Sequence, residues 1–163
     1  MKAEHLHLRE LLGLSLMAAL MFGAKVALSF LPNVHLGALF LIAATLRFGP
    51  KALYTAFIYV MLEGLVYGFG LWWISYLYIW PLLVLLALPL RKTKSYFVLS
   101  VLGALHGYLF GALCAIPVGV ISGLAAGFSY WIAGIPFDLI HGTSNFILCI
   151  VLLRPLDRLT QRV

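Results

Sequence analysis

Charge is scarce in this chain. Only 10% of its 163 residues are Asp, Glu, Lys or Arg, against about 25% in water-soluble domains. With 64% hydrophobic residues, that scarcity excludes an ordinary soluble domain and predicts an integral membrane protein. Cysteine is nearly absent too: Cys114 and Cys149 sit in apolar runs without partner spacing, which argues against a disulfide framework or a zinc site. No G-x-x-x-x-G-K-[ST] loop is present, so the chain cannot itself use ATP through a P-loop. No H-E-x-x-H or other metal-ligand spacing and no nucleophile–base pair occurs, so no metal and no catalytic residue is assigned. Repeated halves, the usual mark of a secondary transporter, are also missing. The first apolar run is long enough to span and lacks a small-residue cleavage site, which argues against a cleavable signal peptide.

What remains is a succession of apolar runs cut by Pro, Gly and charge clusters. They predict an all-α, single transmembrane domain over 1–163, built as a bundle of six helices at about 10–31, 35–48, 51–68, 72–90, 95–117 and 135–154. A spanning helix needs about 20 residues, fewer if buried among others. The glycine-rich stretch 118–134 reads either as an extension of the fifth helix or as a re-entrant outer loop. Lys and Arg set the orientation. Lys2 and Arg9, Arg47 and Lys51, Arg91, Lys92 and Lys94, and Arg154, Arg158 and Arg162 fall in alternate connections and at both ends. Ten of the eleven basic residues thus lie on one side, and only Lys25 is left over. Both termini are expected in the cytoplasm of a multi-pass plasma-membrane protein. The same distribution accounts for the net charge of +6 without nucleic acid, for which no soluble domain exists.

With that orientation, the unusual polar residues fall at one depth. In "FDLIHGTSNFILC" the residues Asp138, His141 and Asn145 lie within about a 60° arc of one helix face, with Gly142 and Cys149. Glu63 and Lys25 lie near the outer ends of their helices, and Asn33 and His35 occupy the first outer loop. Trp72, Trp73, Tyr76 and Tyr78 open the fourth helix; Tyr130 and Trp131 precede the sixth. Each has a plain structural explanation. Asp138 follows Pro136 and suits a helix first turn. His106, His141 and Asn145 can make interhelical hydrogen bonds, Lys25 can pair with Glu63 or Asp138, and the aromatics can form an interfacial belt. Their convergence favours a ligand cavity formed by Asn33, His35, Trp72, Trp73, Tyr76, Tyr130, Trp131, Asp138, His141 and Asn145.

Two ridges of small residues accompany the polar site. Ser15, Ala19, Gly23 and Ala27 recur every four residues on the first helix; Gly103, Gly107, Gly111 and Ala115 do so on the fifth. Such ridges let helices approach closely. One suffices for internal packing, and the other is free to meet a partner.

A six-span, both-ends-inside bundle of this length, with a small-xxx-small first helix and an outward polar site, resembles the substrate-binding S component of an energy-coupling factor (ECF) vitamin transporter. The family's A-x-x-x-A motif is matched by Ala19, Gly23 and Ala27, with glycine at the centre. The closing "AGIPFDLIHGTSNFILCIVLLRPL" is similar to the last helix of S components, where D-x-x-H-…-N faces the ligand. The resemblance implies capture of a vitamin at the outer face and association, through Ala19, Gly23 and Ala27, with a membrane scaffold (T) subunit and two cytoplasmic ATPase subunits. It also implies toppling of the bundle to release cargo inward. No intrinsic cofactor is implied: ATP is used by the partners, and the vitamin is substrate. Overall likeness of the C-terminal stretch makes cobalamin or a corrinoid precursor the best-matched cargo. Thiamin, a pyrimidine derivative or a queuosine precursor are the alternatives within the family. Outside it stand a small membrane enzyme using Asp138 and His141 as acid and base, and a ligand-free scaffold.

Overall fold

Apolar runs end where glycine, proline or charge interrupts them, and the helices of the computed structural model follow that punctuation. It describes residues 7–93 and 95–160; Lys2, Lys94 and Arg162 of the basic set lie outside the described residues. The described residues are 86% helical, with no strand among them. The helices are α1 (Leu8–Ala27), α2 (Gly37–Phe48), α3 (Ala52–Tyr67), α4 (Leu71–Ala87), α5 (Tyr96–Tyr108), α6 (Phe110–Ser122) and α7 (Leu124–Thr160), with a 3₁₀ turn, Gly49–Lys51, between α2 and α3. Three stretches are long and apolar enough to cross a membrane: Leu8–Ala27, Tyr96–Ser122 and Leu124–Thr160. Leu71–Ala87 is apolar but shorter.

The twelve residues of α2 rise only about 18 Å, and every one from Gly37 to Thr45 is buried. This helix is the axis of the bundle, packed by α1, α3, α4, α5 and α7. Trp80, fully buried on α4, lies over Gly37, where even a Cβ would come within 2.8 Å of its ring. The outer surface is the reverse of a soluble protein's: Leu12, Leu65, Val120, Ile121 and Leu124 are all more than half exposed. Lipid is as apolar as leucine, so close packing rather than expulsion from water must hold such helices together.

Close packing is most evident between α5–α6 and α7. The ridge Gly103, Gly107, Gly111 and Ala115 is buried against α7. A Cβ on Gly107 would stand 2.7 Å from the backbone of Gly142, and one on Gly103 would stand 3.2 Å from Cys149 Sγ. Hydrogen bonds tie other pairs: Thr55 Oγ1 donates to the Leu14 carbonyl at 3.0 Å, joining α3 to α1, and Trp73 Nε1 donates to Val60 O at 2.8 Å, joining α4 to α3.

Basic residues gather at one end of the bundle. Arg47 Nε donates to Thr160 O at 3.0 Å, Arg91 Nε to Leu46 O at 3.1 Å, and Lys51 Nζ to Glu10 at 2.9 Å. The α2–α3 and α4–α5 connections and the C-terminal end of α7 therefore share that end. Lys25 pairs with Glu63 at the opposite one, choosing Glu63 over Asp138 as its partner.

Several boundaries differ from the pattern-based expectation. The stretch 118–134 is neither wholly an extension of the fifth helix nor a re-entrant loop. Residues 118–122 complete α6, Gly123 turns the chain with φ 92°, and α7 begins at Leu124, eleven residues before the expected start. With no Cβ, glycine takes that left-handed conformation without strain. The 37 residues of α7 run about 56 Å, longer than a bilayer's hydrocarbon core of about 30 Å. The first helix stops at Ala27, since residues 28–31 enter a series of turns. The fifth expected helix runs on as one stretch from Tyr96 to Ser122, distorted at Leu109 but keeping the hydrogen bonds Leu109 N–H to Leu105 O at 3.0 Å and Leu113 N–H to Leu109 O at 2.9 Å. Further along, Pro117 has no N–H for the Leu113 carbonyl four residues back. The Tyr78 hydroxyl donates to that carbonyl at 2.6 Å instead, so the proline costs no unsatisfied acceptor.

Candidate functional site

The site lies at the end of the bundle opposite the basic cluster, where the 28–36 connection crosses over α7 and α6. Asn33 turns this connection with φ 59°, a left-handed conformation that asparagine tolerates better than most residues. Its carbonyl lies 3.4 Å from the Ser144 hydroxyl of α7. That contact brings His35 onto His141, with ring centroids 4.4 Å apart.

Two cavities flank Asn33 and Phe110, which line both. The first, about 330 Å³, is bounded by Lys25, His35, Tyr67, Tyr76 and His141. The second, about 370 Å³, is bounded by Gly111, Cys114, Tyr130, Phe137 and Asp138. Rings dominate the first: Phe110 stands 4.9 Å from His141 and 5.8 Å from Tyr76, and Trp80 lies behind, 5.9 Å from His35. Lys25 caps it, its ammonium 4.8 Å from the Tyr67 ring centroid, within cation–π reach.

The polar groups of this region fall into two sets. Some have partners within the fold. Asn145 Nδ2 donates to Gly103 O at 3.2 Å, His106 Nε2 lies 3.1 Å from Ile79 O, and Lys25 is paired with Glu63. Others are buried without a hydrogen-bond partner: His35 Nδ1, His141 Nε2 and Asp138 Oδ2 at the cavities, and Glu63 Oε1, Trp80 Nε1 and His106 Nδ1 behind them. Asp138 is 7% exposed, and its Oδ1 accepts the Gly111 N–H at 2.9 Å at the start of α6. That explains half of the carboxylate and leaves the other oxygen unused. Buried polar atoms are almost always satisfied, and three of the six unpartnered ones among the described residues line these two adjoining cavities, where a ligand would complete them.

Of the residues expected at a ligand cavity, Asn33, His35, Tyr76, Tyr130, Asp138 and His141 line these two. Four do not. Asn145 is one turn deeper and held by α5. Trp73 is held by α3, and Trp72 meets Tyr76 edge to face with centroids 5.1 Å apart. Trp131 lines a separate apolar groove on the outer side of the α6–α7 hairpin, beside Leu124 and Phe128. Phe110, Tyr67 and Trp80 were not anticipated. Trp80 had a signal: Trp72, Tyr76 and Trp80 recur every four residues and share one helix face.

The division between partnered and unpartnered groups predicts different outcomes for two neighbouring substitutions. His141→Ala removes a cavity wall and should weaken ligand binding by about 5- to 150-fold, the equivalent of about 1–3 kcal/mol for one buried polar contact. Asn145→Ala should leave binding within about twofold and lower the melting temperature, having lost an interhelical hydrogen bond worth about 0.6–1.7 kcal/mol. Titration calorimetry and a thermal melt on each variant separate the two roles.

The small-residue ridge of α1 lies elsewhere. Ala19, Gly23 and Ala27 are exposed, and a Cβ on Gly23 would meet nothing within 4 Å. The α5 ridge, by contrast, is fully used inside the bundle. No family model, no curated protein and no solved structure matches this chain, so what it does must be read from the cavities, the unpartnered groups and the free helix face.

Proposed function

We propose that the chain is the substrate-capture S component of an ECF-type transporter, a six-span plasma-membrane protein with both termini cytoplasmic. It binds a vitamin-like molecule at its outer face and hands it to a scaffold subunit driven by two ATPases. One observation carries this reading: buried polar groups without partners converge on cavities that a single inter-helix connection covers. Three of the six such groups among the described residues line these cavities, whereas Asn145, one turn deeper, is satisfied within the fold. The free face of α1 supports the partner side of the reading. A membrane enzyme is less well supported. Asp138 and His141 line different cavities, and no metal-ligating cluster of three or more His, Cys, Asp or Glu occurs among the described residues. Among cargoes, the resemblance of the C-terminal stretch favours cobalamin. The cavity sizes favour something smaller, since a corrin macrocycle with its amide arms and nucleotide tail far exceeds either space.

Co-expression with a tagged scaffold subunit and its two ATPases tests the assignment. The chain should purify with them and confer ATP-dependent uptake on proteoliposomes; purification without it, under conditions where the other three assemble, sinks the reading. The cover should also respond to cargo. Lids close to exclude water, so a spin label at position 30, where Phe30 is 74% exposed, should lose mobility when ligand binds. Unchanged spectra would make residues 28–36 a passive connector.

A further inference from the structure

The full charges around the two cavities do not balance. Lys25 is committed to Glu63, whereas Asp138 has no cationic partner among the described residues and keeps Oδ2 unbonded. An isolated carboxylate buried this deeply is expensive, and a single backbone N–H satisfies only one of its oxygens. The cavity it lines is otherwise walled by Phe110, Tyr130 and Phe137, rings whose faces attract cations. On the other side of Asn33 and Phe110, the first cavity offers flat surfaces and two imidazole nitrogens without partners, His35 Nδ1 and His141 Nε2. Each of these can donate or accept, as the tautomer requires.

We propose that the two cavities together take one small, planar nitrogen heterocycle carrying a positively charged or amino group. The ring lies against Tyr76, Phe110 and the His35–His141 pair, and the cationic group rests on Asp138. This rests on the substrate-capture reading and specifies its cargo. The cavities adjoin across Asn33 and Phe110 and offer about 330 and 370 Å³, a pair of lobes within the roughly 300 to 1,000 Å³ of ligand pockets that suits a small ring with one arm. An anionic ligand would meet the Asp138 carboxylate with no free cation to offset it. A macrocycle would not enter.

The test uses the full chain in lipid nanodiscs, purified from rich medium. Mass spectrometry identifies any small molecule that co-purifies, and tryptophan fluorescence reports binding of four probes to ligand-stripped protein: thiamin (cationic), pyridoxine (neutral), nicotinate (anionic) and cyanocobalamin (large). The expected result is a co-purifying amine or cationic heterocycle, or binding of thiamin ahead of the other three. Asp138→Asn keeps an oxygen for the Gly111 N–H and should weaken the cationic ligand by roughly tenfold or more. Tyr130→Ala, at a half-exposed position, should weaken it several-fold. A co-purifying or preferred ligand that is anionic, neutral or a corrinoid overturns the proposal and leaves substrate capture standing. So does an Asp138→Asn protein that is folded and binds the cationic ligand at wild-type strength. If nothing co-purifies and none of the four probes binds, the proposal is overturned; the capture reading falls with it when the chain also fails to purify with the scaffold subunit and its ATPases.

Discussion

In the transporter proposed for this chain, Gly23→Trp is expected to abolish ATP-driven uptake while the isolated protein binds ligand as before. The position is open: no atom lies within 4 Å of where a Cβ would stand, and Ala19 and Ala27 are exposed on the same side of α1. An indole there disturbs nothing in the bundle, but it fills the shallow face on which another helix would lie, where close backbone approach depends on small side chains. The cavity is not touched, because Lys25, two residues on, points about 200° away around the helix. Uptake into proteoliposomes and ligand titration of the isolated chain measure the two quantities separately. Uptake at wild-type rate would remove this face from consideration as the partner surface. Joint loss of both activities would show that Gly23 matters to the bundle itself.

Gly107→Val should have the opposite profile, failing in stability before function is reached. Its added Cβ would lie 2.7 Å from both Cα and N of Gly142, atoms of the α7 backbone that cannot swing aside. The helices must part along the whole ridge, since Gly103, Gly111 and Ala115 are buried against the same partner. A cost of about 3 kcal/mol is reasonable for overpacking against unyielding neighbours, enough to lower the melting temperature sharply or to prevent accumulation. Gly23→Val serves as the control. It makes the same chemical change on a helix but in open space, and should melt no earlier than the parent. Equal melting of the two variants would mean that α5 and α7 are not packed as described.

The helix positions were legible where charge, proline or glycine interrupts an apolar run, as at Gly49–Lys51 and Gly68–Gly70. They were not legible in 118–134. Every residue there is apolar or small, so neither periodicity nor charge marks an end, and the turn depends on Gly123 alone among several glycines. The slight distortion at Leu109 carries no local signal either, since leucine is an ordinary helix former. In the site, the face shared by Asp138, His141 and Asn145 was readable from spacing. What each does was not, because depth decides it: Asn145 comes opposite the Gly103 carbonyl, whereas His141 comes opposite the covering connection. Which of two similar ridges is internal likewise depends on the helix opposite, and a one-dimensional pattern does not record that.

The pairing of Lys25 with Glu63 has an electrical meaning. A lone charge moved across a membrane gains or loses about 2.3 kcal/mol for every 100 mV, so a bundle carrying one would be driven or held by the resting voltage. Joined, the ammonium and the carboxylate move as a dipole without net charge. A reorientation that sweeps this end of the bundle through the bilayer would then draw no work from the pair and lose none to it. The full charge left at that end for the voltage to act on is Asp138, and a bound cation would neutralise it.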